Sequence, residues 1–450
     1  MAWGPKGGRG VDDLVDRLTR NDPSLTSLHI FSSRKFGREE VQQICAALKS
    51  NTVLKELYAS GHSLTSESAG LLGAMLASNT SLVSLCVGND TLGDAGVKQL
   101  VSCLKQNSTL QKLDLENKGI TAEGIQSVAD ALYLHTSVTE LILAHNSLGD
   151  KGLMLLEPPL RCLRMLDLRH CGFEAQGTSH LAAVLKHADC KLEVLRLDGN
   201  KISGGSLSRG LLGNDSLREL HLAHTDIGDA GLDSLCTALP AAKHLTYLDI
   251  TSCNIQRLSG LTLVVADAFH GIQDKAMLQE EFHGAIPDCA AHVQVLKLRD
   301  NGVSDEELQG LGEALQENSL LRDLDLAGNQ VHIQTLQSLA PATVLQKLCL
   351  FNCKLDQEAA EQLVASLEAG GFSNLQELDV TGNDIEAAQM QALLQSLEHQ
   401  DRAPALKVLI LGGNPAGQST AFEEHVAKAR AARPGLDIAW QASDPGQTAS

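Results

Sequence analysis

Cys349 and Cys353, together with His145, His170, His221 and His224, are the residues in this chain best suited to hold a metal ion or move a proton. The cysteines have the loose spacing C-x-x-x-C, but strand alternation puts Cys349 on an exposed face and Cys353 in the inward turn that follows. His145, His170 and His224 fall at equivalent places in successive stretches of sequence, and Gly199 interrupts their row. No phosphate-binding G-x-x-x-x-G-K-S/T, no G-x-G-x-x-G after a strand, no H-E-x-x-H and no G-x-S-x-G occurs. The expectation is a chain with no catalytic residue, no cofactor and no metal, that is, not an enzyme.

What positions these side chains is a block of the form L-x-x-L-x-L-x-x-N/C-x-L, shown by Leu192, Leu195, Leu197, Asn200 and Ile202. Fourteen copies begin at 25, 54, 82, 110, 138, 163, 192, 217, 245, 293, 321, 345, 375 and 406, spaced mostly by 24 to 31 residues. Such a period is that of a solenoid. Within each block the alternation of apolar and variable residues predicts a short strand with one buried face. The stretch after it carries apolar residues at helical spacing, as in Val97, Leu100, Val101 and Leu104.

The turn between strand and helix repeats a glycine, in LGDAG at Gly96, ITAEG at Gly124, LGDKG at Gly152 and IGDAG at Gly231, which suits a close-packed approach to the helix. The ninth position is mostly Asn or Cys, as at Asn146, Cys171, Asn200, Cys253, Asn301, Asn329, Cys353, Asn383 and Asn414. An Asn amide there satisfies backbone groups where the strand ends. Strands stack about 4.8 Å apart while helices are roughly 10 Å wide, so the stack must curve with its strands inside. Fourteen strands give an inner arc on the order of 65 Å.

The side chains facing that inner surface are the variable positions flanking the strand leucines. Acidic members are Glu56, Asp114, Glu116, Glu140, Asp167, Asp198, Glu219, Asp249, Asp323, Asp325, Glu377 and Asp379, against the basic Lys112, Arg169, Arg196, Lys297, Arg299 and Lys347. Phe31, Tyr58, Tyr247 and Phe351 are the aromatic anchors. An acidic, mixed surface with its acidic strip from Asp323 to Asp379 is expected to take a protein with a basic surface. The residues expected to touch it are Phe31, Tyr58, Asp114, Glu116, Asp167, Arg169, Arg196, Asp198, Tyr247, Asp249, Lys297, Arg299, Asp323, Asp325, Phe351, Glu377 and Asp379.

The repeat length, the LGDAG turn and the alternation of Asn and Cys resemble the ribonuclease inhibitor-like subfamily of leucine-rich repeat proteins, over residues 11 to 440. The resemblance implies an α/β leucine-rich repeat solenoid of about 14 repeats, a curved horseshoe with parallel strands on the concave face and helices on the convex face. It also implies a non-catalytic scaffold for protein recognition. The same repeats serve ribonuclease inhibitors, Ran GTPase-activating proteins, nucleotide-binding immune receptors and actin or axonemal assembly factors, so those functions stand as alternatives. The opening segment VDDLVDRLTRNDPSLTSLHI resembles the first unit of the tropomodulin and leiomodin repeat domain.

A formal charge of −19 disfavours nucleic acid phosphates and anionic lipid. Eleven cysteines without disulfide-scaffold spacing fit reduced thiols, and neither a signal sequence nor a run of about 18 apolar residues is present, so a cytoplasmic, monomeric protein is expected. Of four sequons, at Asn79, Asn89, Asn107 and Asn214, those at Asn79, Asn107 and Asn214 read as helix ends before the next strand. Val11, Leu14, Val15 and Leu18 predict a short capping helix, and 418 to 433 a second one followed by the apolar run LDIAW. Residues 1 to 10 and 441 to 450 read as disordered tails. The interval from 245 to 293 exceeds the period and predicts an irregular insertion over about 256 to 292, with a regular helix in GLTLVVADAF and an extra one in QDKAMLQEEF.

Overall fold

The structure, a computed structural model, describes residues 10–133, 135–160, 162–266, 292–418 and 420–440. It divides into two compact units, Met1–Gly210 and Leu211–Ser450. In both units the order is strand then helix, repeated, with parallel strands that neighbour each other in sequence order.

The first unit holds β1 (Ser27–His29), β2 (Glu56–Ser60), β3 (Ser84–Gly88), β4 (Lys112–Asp114), β5 (Glu140–Ile142), β6 (Met165–Asp167) and β7 (Val194–Arg196). Its helices begin with α1 (Asp12–Thr19), α2 (Arg38–Leu48), α3 (Ser66–Leu76), α4 (Gly93–Val101) and α5 (Ala122–Leu132). The register matches like with like: Leu28 opposes Leu57, Leu57 opposes Leu85, and Leu85 opposes Leu113. These leucines are buried, so the core is a row of identical aliphatic layers pressed between the strands and the helices. Val11 and Leu18 are fully buried and close the end of this core, as the amphipathic spacing of α1 requires.

The second unit holds β8 (Glu219–His221), β9 (Tyr247–Asp249), β10 (Val295–Lys297), β11 (Asp323–Asp325), β12 (Lys347–Cys349), β13 (Glu377–Asp379), β14 (Val408–Ile410) and β15 (Asp437–Ala439). The long interval leaves the register intact, because Leu248 opposes Leu296 directly. A helix spans Ser259–Val265 as GLTLVVADAF predicts, and the expected helix in QDKAMLQEEF lies outside the described residues, as do both tails. The last apolar run is a strand, since Leu409 opposes Ile438, which makes fifteen strands among the described residues where the repeat count gave fourteen. That strand escapes the pattern because Gly435 stands where the first leucine of the block belongs. Helix Thr420–Ala432 covers the layer beside it, within the stretch expected for the second cap.

Two devices tie neighbouring repeats together along much of the chain. Asn146 donates from Nδ2 to the Leu115 and Leu143 carbonyls at 2.8 Å each, and its Oδ1 accepts from the Lys118 and Ile120 amides at 3.0 Å. Asn200, Asn301, Asn329, Asn383 and Asn414 repeat the donation, whereas Cys171, Cys253 and Cys353 supply a thiol donor to the previous strand's carbonyl. The second device is the aspartate of the LGDAG-type turn. Asp94 accepts from the Thr121 amide, Asp150 from Glu174 and Gly177, and Asp229 from Gln256 and Arg257, so each caps the helix start of the following repeat. Gly124 is required by the first of these, because a Cβ there would sit 2.3 Å from the Asp94 carboxylate.

On the opposite edge Asn51, Asn79 and Asn107 close the helix ends by bonding the carbonyls of Leu18, Leu48 and Leu76. Asn79 and Asn107 are buried in these bonds, so two of the sequons are structural helix stops, as read from the sequence.

Candidate functional site

Strand alternation sends every second side chain to the face opposite the helices, and parallel register lines these up in rows across neighbouring strands. In the first unit one row runs His29, Tyr58, Cys86, Asp114, Ile142, Asp167, Arg196, because those residues are register partners in turn. In the second unit the corresponding row runs His221, Asp249, Lys297, Asp325, Cys349, Asp379, Ile410. All seventeen residues expected to touch a partner lie on these two faces or at the strand ends that continue them.

Their exposure differs from what strand alternation alone suggests. Asp167 is completely buried, and it accepts from the Arg169 backbone amide at 3.1 Å, from Nε at 2.9 Å and from a terminal nitrogen at 2.7 Å. Those bonds raise the Arg169 pKa, with burial working against them. Asp167 is therefore an internal anchor for Arg169, with Arg196 also 3.9 Å away. A carboxylate fixed this way presents nothing to a ligand. Asp114, Asp249, Asp325 and Asp379 serve the backbone in another way, since each accepts from the backbone amide two residues on, which turns the chain at the strand end.

Charge on the second unit's face is paired across strands. Lys297 reaches Asp323 at 2.9 Å, Lys347 reaches Glu377 at 2.9 Å, and Arg299 approaches Asp325 at 3.7 Å. The Lys347 pKa is raised by its bond to Glu377. Arg299 also lies over the Phe351 ring, 5.5 Å from its centroid. The strip from Asp323 to Asp379, expected from sequence to be the acidic one, is thus close to neutral. On the first unit's face Lys112 approaches Glu140 at 4.0 Å, while Glu56 has no ion pair among the described residues and Glu116 has only the imidazole of His145 at 3.9 Å. Excess negative charge sits there.

Rings gather at two places. His29 stacks on Tyr58 with centroids 4.7 Å apart and lies 6.2 Å from Phe31, whose side chain is 68% exposed. His221 stacks on Tyr247 at 4.6 Å, and its Nε2 is 3.5 Å from the Glu219 carboxylate. Tyr58 and Tyr247 are half-buried and Phe351 is exposed, so all four aromatic anchors reach the surface.

The metal candidates separate. Cys353 is buried with its thiol on the Leu326 carbonyl, and Cys349 stands half-buried on the strand face, its thiol pushed up to about 12 by burial and by Asp325. His145 and His170 stack at 4.7 Å, and His224 lies in a turn of the other unit. No group of three His, Cys, Asp or Glu arranged to hold a metal is found among the described residues.

One feature was invisible to the repeat pattern. The ninth position is His62, Asp90 and Lys118 in the second to fourth repeats. His62 still bonds the Ile30 carbonyl at 2.9 Å, but Asp90 turns outward, and Lys118, only 1% exposed, reaches Ser60 Oγ at 3.3 Å. Where the asparagine ladder is broken, β2 and β3 run to five residues instead of three. A pocket of about 270 Å³ opens on the strand face there, lined by Ser60, Gly61, Cys86, Asn89, Asp114, Glu116, Asn117 and Lys118. The departure from Asn or Cys at 62, 90 and 118 was the available signal.

Comparison with known proteins fits this geometry. The family model "Leucine Rich repeat" matches residues 106–129, 135–156, 213–236, 241–258 and 373–394. The chain is 31% identical over 306 residues to "NACHT, LRR and PYD domains-containing protein 12" of Mus musculus, covering 65% of this chain and 27% of that protein. It is 26% identical over 275 residues to the "Ribonuclease inhibitor" of Mus musculus, covering 56% and 53% respectively. It therefore spans about a quarter and about half of the lengths of these two relatives. "Leiomodin-1 Actin-Binding Site 2 (ABS2)" aligns at 20% identity and a TM-score of 0.25, covering 39% of this chain and 86% of that one, a likeness too loose to say anything about actin. No helix among the described residues is long and apolar enough to cross a membrane.

Proposed function

We propose, from the premise that this is a ribonuclease inhibitor-like leucine-rich repeat protein, that it acts as a non-catalytic scaffold whose strand faces bind a protein partner. The observation that carries the reading is the composition of those faces: rows of half-buried charges of both signs, with Phe31, Tyr58, Tyr247 and Phe351 reaching the surface between them. Large, partly ordered side chains of this kind supply anchors, and the paired charges around them set orientation. The similarity to leucine-rich repeat relatives supports the same reading.

The partner carries a basic surface, since the unpaired charge on the first unit's face is negative and the whole chain is at −19. The repeat domain extends over residues 11 to 440 and works as a monomer in the cytoplasm. Affinity capture followed by mass spectrometry tests this at about 0.15 M salt, where surface charges beyond about 8 Å are screened. Reversing Glu56 and Glu116 to lysine is expected to abolish capture while leaving the fold intact by circular dichroism. Undiminished capture by the folded variant overturns the placement.

One relative is by name a ribonuclease inhibitor, which gives a second reading its specific test. Stoichiometric inhibition of a basic ribonuclease by this protein would name the partner class, and full ribonuclease activity in excess protein would remove it.

A further inference from the structure

On that reading, the break in the asparagine ladder marks a subsite on the first unit's face. Lys118 stands where the ladder would place Asn or Cys and is 1% exposed, yet its ammonium has one hydrogen bond, 3.3 Å to Ser60 Oγ two repeats back. No ion pair holds it among the described residues. An ammonium carries three donors, so two are unused. A buried charge in that state costs the fold free energy, and an apolar side chain of similar length would not.

Lys118 and Ser60 both line the pocket of about 270 Å³ on the strand face, with Cys86, Asn89, Asp114, Glu116 and Asn117. Burial and the Asp114 carboxylate push the Cys86 thiol up to about 11 against the pull of the Lys118 ammonium, so the thiol stays neutral and the lysine is the pocket's one cation. Asp114 spends an oxygen on the Glu116 amide at 2.9 Å. Glu116 meets only the imidazole of His145, at 3.9 Å, and its carboxylate is open to solvent. One unsatisfied cation thus lies inside the pocket and one available anion stands at its wall.

We infer that this pocket takes the C-terminal residue of the basic partner, a lysine or arginine, with its terminal carboxylate on the Lys118 ammonium and its cationic side chain at Glu116. The volume equals about nine waters at roughly 30 Å³ each and falls below the roughly 300 Å³ at which sites for drug-sized ligands begin, which is room for one residue. A C-terminal lysine or arginine carries both charges on one residue, whereas an internal acidic residue brings a chain that must leave in two directions and needs a neighbour for the positive charge. Phosphate would bring extra negative charge against Asp114 and Glu116.

The inference rests on the strand faces being the binding surface, and its test needs no partner. Acetyl-Gly-Gly-Lys with a free carboxylate, the same peptide amidated, and acetyl-Gly-Gly-Ala with a free carboxylate are titrated into the full chain at about 0.15 M salt and followed by NMR. The acid is expected to bind about tenfold more tightly than the amide, the low end for a hydrogen bond to a charged group. The chain's charge of −19 works in the opposite direction, since it favours the more positive amide. The lysine peptide is expected to bind about threefold more tightly than the alanine one, as suits an exposed ion pair. Lys118→Met, with its fold checked by circular dichroism, is expected to remove the preference for the acid. Glu116→Gln is expected to keep that preference and bring the lysine and alanine peptides together. Equal binding of acid and amide by wild type, or a preference that survives Lys118→Met, overturns the assignment. If that happens while reversal of Glu56 and Glu116 still abolishes partner capture, the scaffold reading stands without this subsite.

Discussion

Replacing Asn146 with alanine should cost this protein several times what an ordinary surface substitution costs. Its side chain is 4% exposed and makes four good bonds to backbone groups of its own and the preceding repeat, at 2.8 Å to the Leu115 and Leu143 carbonyls and 3.0 Å from the Lys118 and Ile120 amides. At about 1 kcal/mol net per bond the loss is about 4 kcal/mol, and the two stranded amides are buried too deeply for water to replace it. Asn146→Cys makes the sharper comparison, because Cys171 shows what a thiol does in the same place: Sγ reaches the Leu143 carbonyl at 3.2 Å. One retained donor leaves a loss of about 3 kcal/mol. Urea unfolding followed by circular dichroism gives both values by linear extrapolation. A loss below about 1 kcal/mol in the alanine variant, or identical losses in the two variants, would refute the view that this ladder holds the repeats together.

Lys118→Met should leave stability unchanged or raise it, since the buried ammonium has a single hydrogen bond of 3.3 Å to Ser60; a drop of more than about 2 kcal/mol in urea unfolding would show the charge to be stabilising. Burial holds the Cys45, Cys171, Cys349 and Cys353 thiols up to about 12, so iodoacetamide at pH 8 should spare them in the native protein while labelling the half-exposed Cys103 and Cys162; mass spectrometry with early modification of Cys171 would contradict this. Asp22 is held at about 2 by its bonds to Ser24 and Arg17, below the usual 3.8. A depressed carboxyl stabilises fully above its unfolded value and loses that contribution as pH falls from about 4 towards 2; an NMR titration midpoint near 3.8 would remove the effect.

Much of this architecture was readable from residue spacing. The period of the leucines gave the strands, their faces and the layered core, and the ninth position announced the ladder at Asn146, Asn200 and Cys171. What escaped depended on register between repeats. The aspartate in LGDAG is visible in sequence, but only the stacking shows that Asp94 caps the helix of the next repeat at Thr121. Fifteenth-strand pairing was hidden because Gly435 removes the first leucine of its block. The face charges were correctly placed on one surface, yet their signs alone could not say that Lys297 and Lys347 neutralise Asp323 and Glu377, or that Asp167 is buried beneath Arg169. A strand-face position is a direction in space, and whether it meets solvent is decided by its neighbours, two residues along as at Asp167 or one strand over as at Asp323.

Hydrogen exchange of the chain with and without its captured partner is the most direct test of the central claim that the strand faces are the binding surface. Protection is expected at the strand ends carrying Phe31, Glu56, Tyr58, Asp114 and Glu116, with the outward helical segments such as Ala122–Leu132 unchanged. Protection confined to the helices, with the strand ends exchanging as in the free protein, would contradict it.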